Sequence, residues 1–114
     1  MPPKRNPLNL NPLQLKTLTL LQELARTAGK PAPENEEGGV AITELPHAHG
    51  DHFHLGEAVV AARDATGLRN PSVWAALERK GLIRPKLPEA VILTALGQEY
   101  DTGLRDAILH RAGH

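Results

Sequence analysis

The sequence predicts an α+β fold, mostly helical, in which a leading helix and a trailing C-terminal helix enclose a smaller central unit. Three observations carry that prediction. Leucine-rich stretches with helical spacing lie towards both ends of the chain. Two Asn-Pro steps, Asn11-Pro12 and Asn70-Pro71, each read as a helix cap followed by proline at the first helical position. Two apolar runs flank a proline-bracketed turn between Leu82 and Thr94, as in a hairpin.

The elements follow in order. Residues 1–11 hold Pro2, Pro3, Lys4, Arg5 and Pro7 and predict a flexible basic arm. Leu13, Leu18, Leu21 and Leu24 then recur at helical spacing, which predicts a helix over 12–28, stopped by Gly29. Residues 29–39 hold no apolar side chain larger than Ala or Pro and predict a flexible loop. Apolar and polar residues alternate over 40–45, as in a short strand ended by Pro46. Leu55, Val59, Val60 and Ala62 predict a second helix over 56–66. A turn at 67–70 then leads to a third helix over 71–80, closed by Gly81. Leu82 and Ile83 start one strand of the hairpin and residues 90–94 form the other. Leu96, Tyr100, Leu104 and Ile108 form one i, i+4 row of a last helix over 96–111. Residues 12–114 are thus expected to be a single domain.

Composition narrows the function classes. The chain has 114 residues, enough to bury a core without a disulfide or a structural metal. With Cys 0, a disulfide scaffold, an iron–sulfur cluster and a thiol nucleophile are excluded. No apolar run approaches the roughly 20 residues of a membrane span. The expectation is a cytoplasmic protein with no membrane partner. Net charge is +0, but residues 67–88 carry five Lys/Arg against one acid.

Helix, strand, helix, turn, helix, hairpin, helix is the order of a winged helix-turn-helix, with the hairpin as the wing. Ala76-Leu-Glu-Arg-Lys-Gly-Leu-Ile83 resembles the end of the recognition helix and the first wing strand of MarR- and PadR-type regulators. Leu93-Thr-Ala-Leu-Gly-Gln-Glu-Tyr100 resembles the LT-x-x-G junction that follows their second wing strand. The resemblance covers residues 40–102 and implies a double-stranded DNA partner. Trp74 and Leu77, three apart, are expected to pack inward beneath the hairpin.

On that reading Arg69, Ser72, Arg79, Lys80, Arg84 and Lys86 would meet DNA on the third helix and the wing. Lys4 and Arg5 would reach a minor groove. The outward start of the third helix, with Pro71, Ser72, Ala75 and Ala76, offers few base readers and suits apolar contact with a protein instead. The leucine stripes of the first and last helices exceed what a small domain needs and predict a homodimer.

Four of the six histidines crowd into one short stretch, His47, His49, His52 and His54, with Asp51 among them. Neutral imidazoles and a carboxylate suit a divalent metal such as Zn, Ni or Fe. His54 and Glu57 would share a face at the start of the second helix. A polar loop whose histidines cap that helix is the plainer alternative. His47-Ala-His49-Gly-Asp51-His52 also matches the H-x-H-x-D-H string of metallo-β-lactamase-type hydrolases. Those resemble a much longer αββα sandwich with further ligands downstream, so no enzyme is expected. The sequence therefore predicts a DNA-binding transcriptional regulator, metal- or pH-responsive through its histidine loop, with a protein-docking module as the alternative.

Overall fold

Asn11 opens the ordered framework. In the computed structural model, which describes residues 6–32, 38–46, 48–86 and 90–111, it caps helix α1 (Pro12–Ala28). Its side chain accepts from the Gln14 amide at 2.8 Å, and Gln14 Oε1 accepts from the Asn11 amide at 3.0 Å. That reciprocal pair satisfies donors that a helix start leaves open. Along the chain follow β1 (Lys30–Pro31), β2 (Val40–Ile42), β3 (Ala48–His49), β4 (His52–Leu55) and β5 (Ala58–Ala61). Two 3₁₀ turns (Ala62–Asp64, Thr66–Arg69) lead to α2 (Pro71–Arg79), β6 (Ile83–Lys86), β7 (Ala90–Leu93), α3 (Ala95–Glu99), α4 (Arg105–Ile108) and β8 (His110–Arg111).

The described strands form two antiparallel four-stranded sheets, ordered β1-β2-β7-β6 and β3-β4-β5-β8. Helix α1 packs against strands of both sheets and against α2. Residues 17–21 are buried without a break, so α1 is covered on every side rather than along one stripe. Thr17 and Thr19 tolerate that burial because their hydroxyls donate to the Leu13 and Leu15 carbonyls, each at 2.8 Å. Thr19 Oγ1 in turn accepts from the Thr102 hydroxyl at 2.6 Å, which ties α1 to the segment after α3.

This is not the mostly helical fold that the sequence predicts, and three parts of the winged-helix expectation change with it. First, the stretch expected to be the second helix, 56–66, is the turn after β4, strand β5, a 3₁₀ turn and the start of a second one. Gly50-Asp51 and Gly56-Glu57 are two-residue turns, fixed by the rungs His49↔His52 and Leu55↔Ala58. Both glycines have the left-handed backbone such turns need, with φ of 69° and 61°. Strand β4 then alternates, Leu55 buried and His54 exposed, a pattern that favours strand over helix.

Second, the last helix is split. Helix α3 ends at Glu99, and the Asp101 side chain accepts from the Gly103 amide at 3.0 Å, closing a turn where the helix was expected to continue. Third, the leucines of the first helix are spent on the core. Leu18, Leu20 and Leu21 are each 0% exposed inside the monomer, and Leu96 is the exposed large hydrophobic among the described residues.

The flexible segments also differ. Residues 6–11 are tied down. Asn6 and Leu10 exchange two hydrogen bonds, Leu8 donates to Tyr100 Oη at 3.1 Å, and Leu10 is buried. Lys30 and Pro31 of the expected loop pair with Ala41 and Val40. Lys4, Arg5, the centre of that loop and the tip of the β6–β7 hairpin lie outside the described residues.

The β6–β7 hairpin stands where the sequence puts it, and Thr94 explains the LT-x-x-G junction. Its Oγ1 accepts from the Gly97 amide at 3.0 Å, capping α3, and donates to the Gly81 carbonyl at 2.8 Å. A Cβ on Gly97 would stand 2.2 Å from the Leu82 carbonyl oxygen, so only glycine lets the helix approach the strand this closely. Among the described residues no helix is long and apolar enough to cross a membrane.

Candidate functional sites

Helix α2 positions the first site. Asn70 caps it by accepting from the Ser72 amide at 2.9 Å, and Pro71 supplies the preset first turn. Leu77 is 0% exposed and anchors the helix to the core as expected. Trp74 is only half-buried. Its Nε1 donates to the Leu68 carbonyl at 3.0 Å, which fixes the indole beside the preceding 3₁₀ turn. A groove of about 460 Å³ results, lined by Leu68, Pro71, Trp74, Ala75 and Pro85 with Arg69 and Glu78 at its margins.

The six residues expected to meet DNA are spread over the turn before α2, α2 itself and β6. Ser72 and Arg79 are exposed on α2, and Arg84 and Lys86 are exposed on β6 on either side of Pro85. Arg69 reaches the Pro46 carbonyl at 3.4 Å. Lys80 is half-buried, and its Nζ donates to the Leu8 carbonyl at 2.5 Å, so it holds the N-terminal segment against the end of α2. Glu78, exposed in the middle of the intended interface, adds a charge that repels phosphate. Sequence reasoning missed Leu68 and Pro85 as groove residues. The lone tryptophan three residues after Pro71 was the available signal.

The second site is the outer face of β4. His52 and His54 alternate with Phe53 and Leu55, so both imidazoles leave the same side of the strand while Leu55 enters the core. Their Nε2 atoms are 3.2 Å apart and their ring centroids 4.9 Å, with the planes inclined at 77°. Asp51 Oδ1 approaches His52 from the opposite ring edge, 3.4 Å from Nδ1. Asp51 therefore backs the His52 ring instead of sharing the space between the two Nε2 atoms.

His49 is the ladder partner of His52, and His47 lies outside the described residues. Among the described residues no group of three or more His, Cys, Asp or Glu side chains gathers closely enough to hold a metal ion. Glu57 and His54 do not share a helical face, because the turn of the β4–β5 hairpin separates them. The described part of the H-x-H-x-D-H string, residues 48–52, runs through the β3–β4 hairpin.

A third cluster was not foreseen. Glu23 on α1 is 3% exposed at its side chain and pairs with two arginines, Arg26 on the next turn and Arg105 on α4. Arg105 Nη1 donates to Glu23 Oε1 at 2.7 Å, and Arg26 Nε donates to the same oxygen at 3.2 Å. Burial pushes the Glu23 carboxyl up, but the hydrogen bonds and charges of the two guanidiniums outweigh it and hold the group below its ordinary value. The charged residue inside the run Leu20-Leu21-Gln22-Glu23-Leu24 was the one hint in the sequence. The adjoining cavity of about 270 Å³ is lined by Glu23, Arg26, Glu57, Arg105, Asp106 and His110. Glu23 balances one of the two guanidinium charges, and Glu57 and Asp106 line the same cavity, so the cluster is a mixed-charge clasp between α1 and α4.

Comparison with protein-family models, curated proteins and solved structures finds no match for this chain.

Proposed function

We propose that this protein is a docking module that binds an acidic peptide segment bearing an apolar anchor, through the groove between α2 and β6. The observation that carries the reading is the groove's lining. Leu68, Pro71, Trp74, Ala75 and Pro85 present apolar surface where a base-reading helix would need polar side chains. Half-buried tryptophan in a pocket is the kind of anchor on which interfaces concentrate their affinity.

Charge selects the partner. Residues 67–88 hold five Lys/Arg against one acid; Arg69 and Glu78 line the groove itself, while Arg84 and Lys86 flank Pro85 along β6. An acidic flank lying on the Arg69 side of the groove, away from Glu78, would complement the basic surplus of this segment and speed the encounter. The rim supplies direction and rate; the floor supplies most of the binding free energy.

Because Trp74 is the single tryptophan, its emission reports occupancy directly. Peptide display against the whole protein should enrich acidic sequences with one large apolar residue, and these should shift the Trp74 emission on titration. Ala75→Arg, on the exposed face of α2, fills the groove while adding positive charge. It should weaken the selected peptides by at least about tenfold, roughly 1.4 kcal/mol. A random duplex should bind no better than it does to an ordinary mildly basic surface. Steeply salt-dependent duplex binding that Ala75→Arg strengthens, with no peptide enriched, would replace this reading by the DNA-binding one.

A further inference from the structure

We infer that the β3–β4 hairpin carries a chelating site for one late first-row divalent transition ion, with His52 Nε2 and His54 Nε2 as its two protein ligands. The inference is independent of the groove and rests on the geometry of β4. Two ligands held at 2.0–2.1 Å from a tetrahedral ion stand about 3.3–3.4 Å apart. The two Nε2 atoms are 3.2 Å apart, close to that spacing, so the rings need hardly separate but must turn both lone pairs toward a common point to hold an ion. Residues i and i+2 of a strand share a face by construction, so the pair is organised by the β4–β5 ladder and not by chance side-chain rotation.

Proton bookkeeping is simple. In the neutral pair one ring donates its Nε2–H to the bare Nε2 of the other. An ion needs both lone pairs, so the donating ring must move its proton to Nδ1. No net proton is released and nothing is oxidised or reduced. For His52 the acceptor for that Nδ1–H is in place, since Asp51 Oδ1 lies 3.4 Å away. A carboxylate behind a ligating imidazole fixes its tautomer and raises its basicity.

With two imidazole ligands the site favours the ions that bind nitrogen most strongly, in the order Cu²⁺ above Ni²⁺ and Zn²⁺, and disfavours Mg²⁺ and Ca²⁺. Water fills the remaining positions. His110 provides an internal control. It pairs with Val59, the ladder partner of His54, and so lies on the far side of β5 from the chelating pair.

The test is calorimetric titration of the untagged, EDTA-dialysed protein with copper, nickel and zinc chlorides in turn. The expected result is one equivalent of Cu²⁺ bound most tightly. His52→Ala and His54→Ala should each lose at least tenfold in affinity, and His110→Ala should match the unaltered protein. Both side chains lie on the outer face of β4, so far-ultraviolet circular dichroism should be unchanged. If an alanine variant proves unstable, His52→Gln and His54→Gln keep the volume and polarity and must lose the ion equally. No uptake by the unaltered protein, or uptake that survives loss of both imidazoles, overturns the assignment.

Discussion

Glutamine in place of Glu23 removes the centre of the α1–α4 clasp without changing its volume. Glu23 accepts from Arg26 and Arg105 at once. Hydrogen bonds to a charged group contribute roughly 1.5–3 kcal/mol each in buried settings. The two guanidiniums are 60% and 56% exposed, so solvent compensates much of their loss, and Gln retains one carbonyl acceptor. The net cost of Glu23→Gln at neutral pH is therefore about 1–2 kcal/mol. For a chain of this size that corresponds to a fall in Tm of about 4–8 °C.

The pH dependence supplies the sharper check. The folded carboxyl titrates below its unfolded value, so it binds fewer protons than the unfolded group as acid is added. Its contribution is complete above about pH 4.5, the unfolded value, and disappears as pH falls through the lower folded value. Urea melts of both proteins from pH 7 to pH 3 should show the gap between them narrow below about pH 4.5. A constant gap across that range, or a variant as stable as the unaltered protein at pH 7, would show that the clasp does not act through the carboxylate.

Three further outcomes follow from packing. Leu77→Ala, at a position with 0% exposure, should destabilise by about 2–5 kcal/mol in denaturant melts and flatten the emission change of neighbouring Trp74. Gly97→Ala forces a Cβ against the Leu82 backbone oxygen, which cannot swing aside, so it should lose at least about 2 kcal/mol and separate α3 from β6. Equal stability would mean the junction has room. Gly50→Ala meets no atom within 4 Å and pays only the positive φ, about 1–2 kcal/mol, whereas Gly56→Ala also presses on the Thr27 side chain and should cost more. The reverse order in thermal melts would contradict the turn geometry.

Caps were the legible part of this chain. Asn11-Pro12 and Asn70-Pro71 start α1 and α2 because an amide acceptor followed by a preset φ leaves the backbone little alternative. The hairpin from Ile83 to Leu93 was equally readable from its flanking apolar runs. The β3–β4–β5 meander was not, because Leu55, Val59 and Val60 fit a helical template as well as a strand one. The deciding signals were the short Gly-Asp and Gly-Glu turns, which set strand direction without lengthening the loop. Leucine count alone is no guide to association, since a helix wrapped by two sheets consumes apolar surface on all sides. The histidines were visible as a cluster, but only the register of β4 separates the pair that meets from the rest.

Wrapping α1 on every side also sets the order in which this protein can be made. The helix is complete by residue 28, yet the Thr102 hydroxyl and the strand ending at Leu93 are synthesised long after it. Until they arrive, a run of leucines has nowhere to hide, and truncation before Thr102 exposes it again. The first helix and the segment around Thr102 therefore stand or melt together.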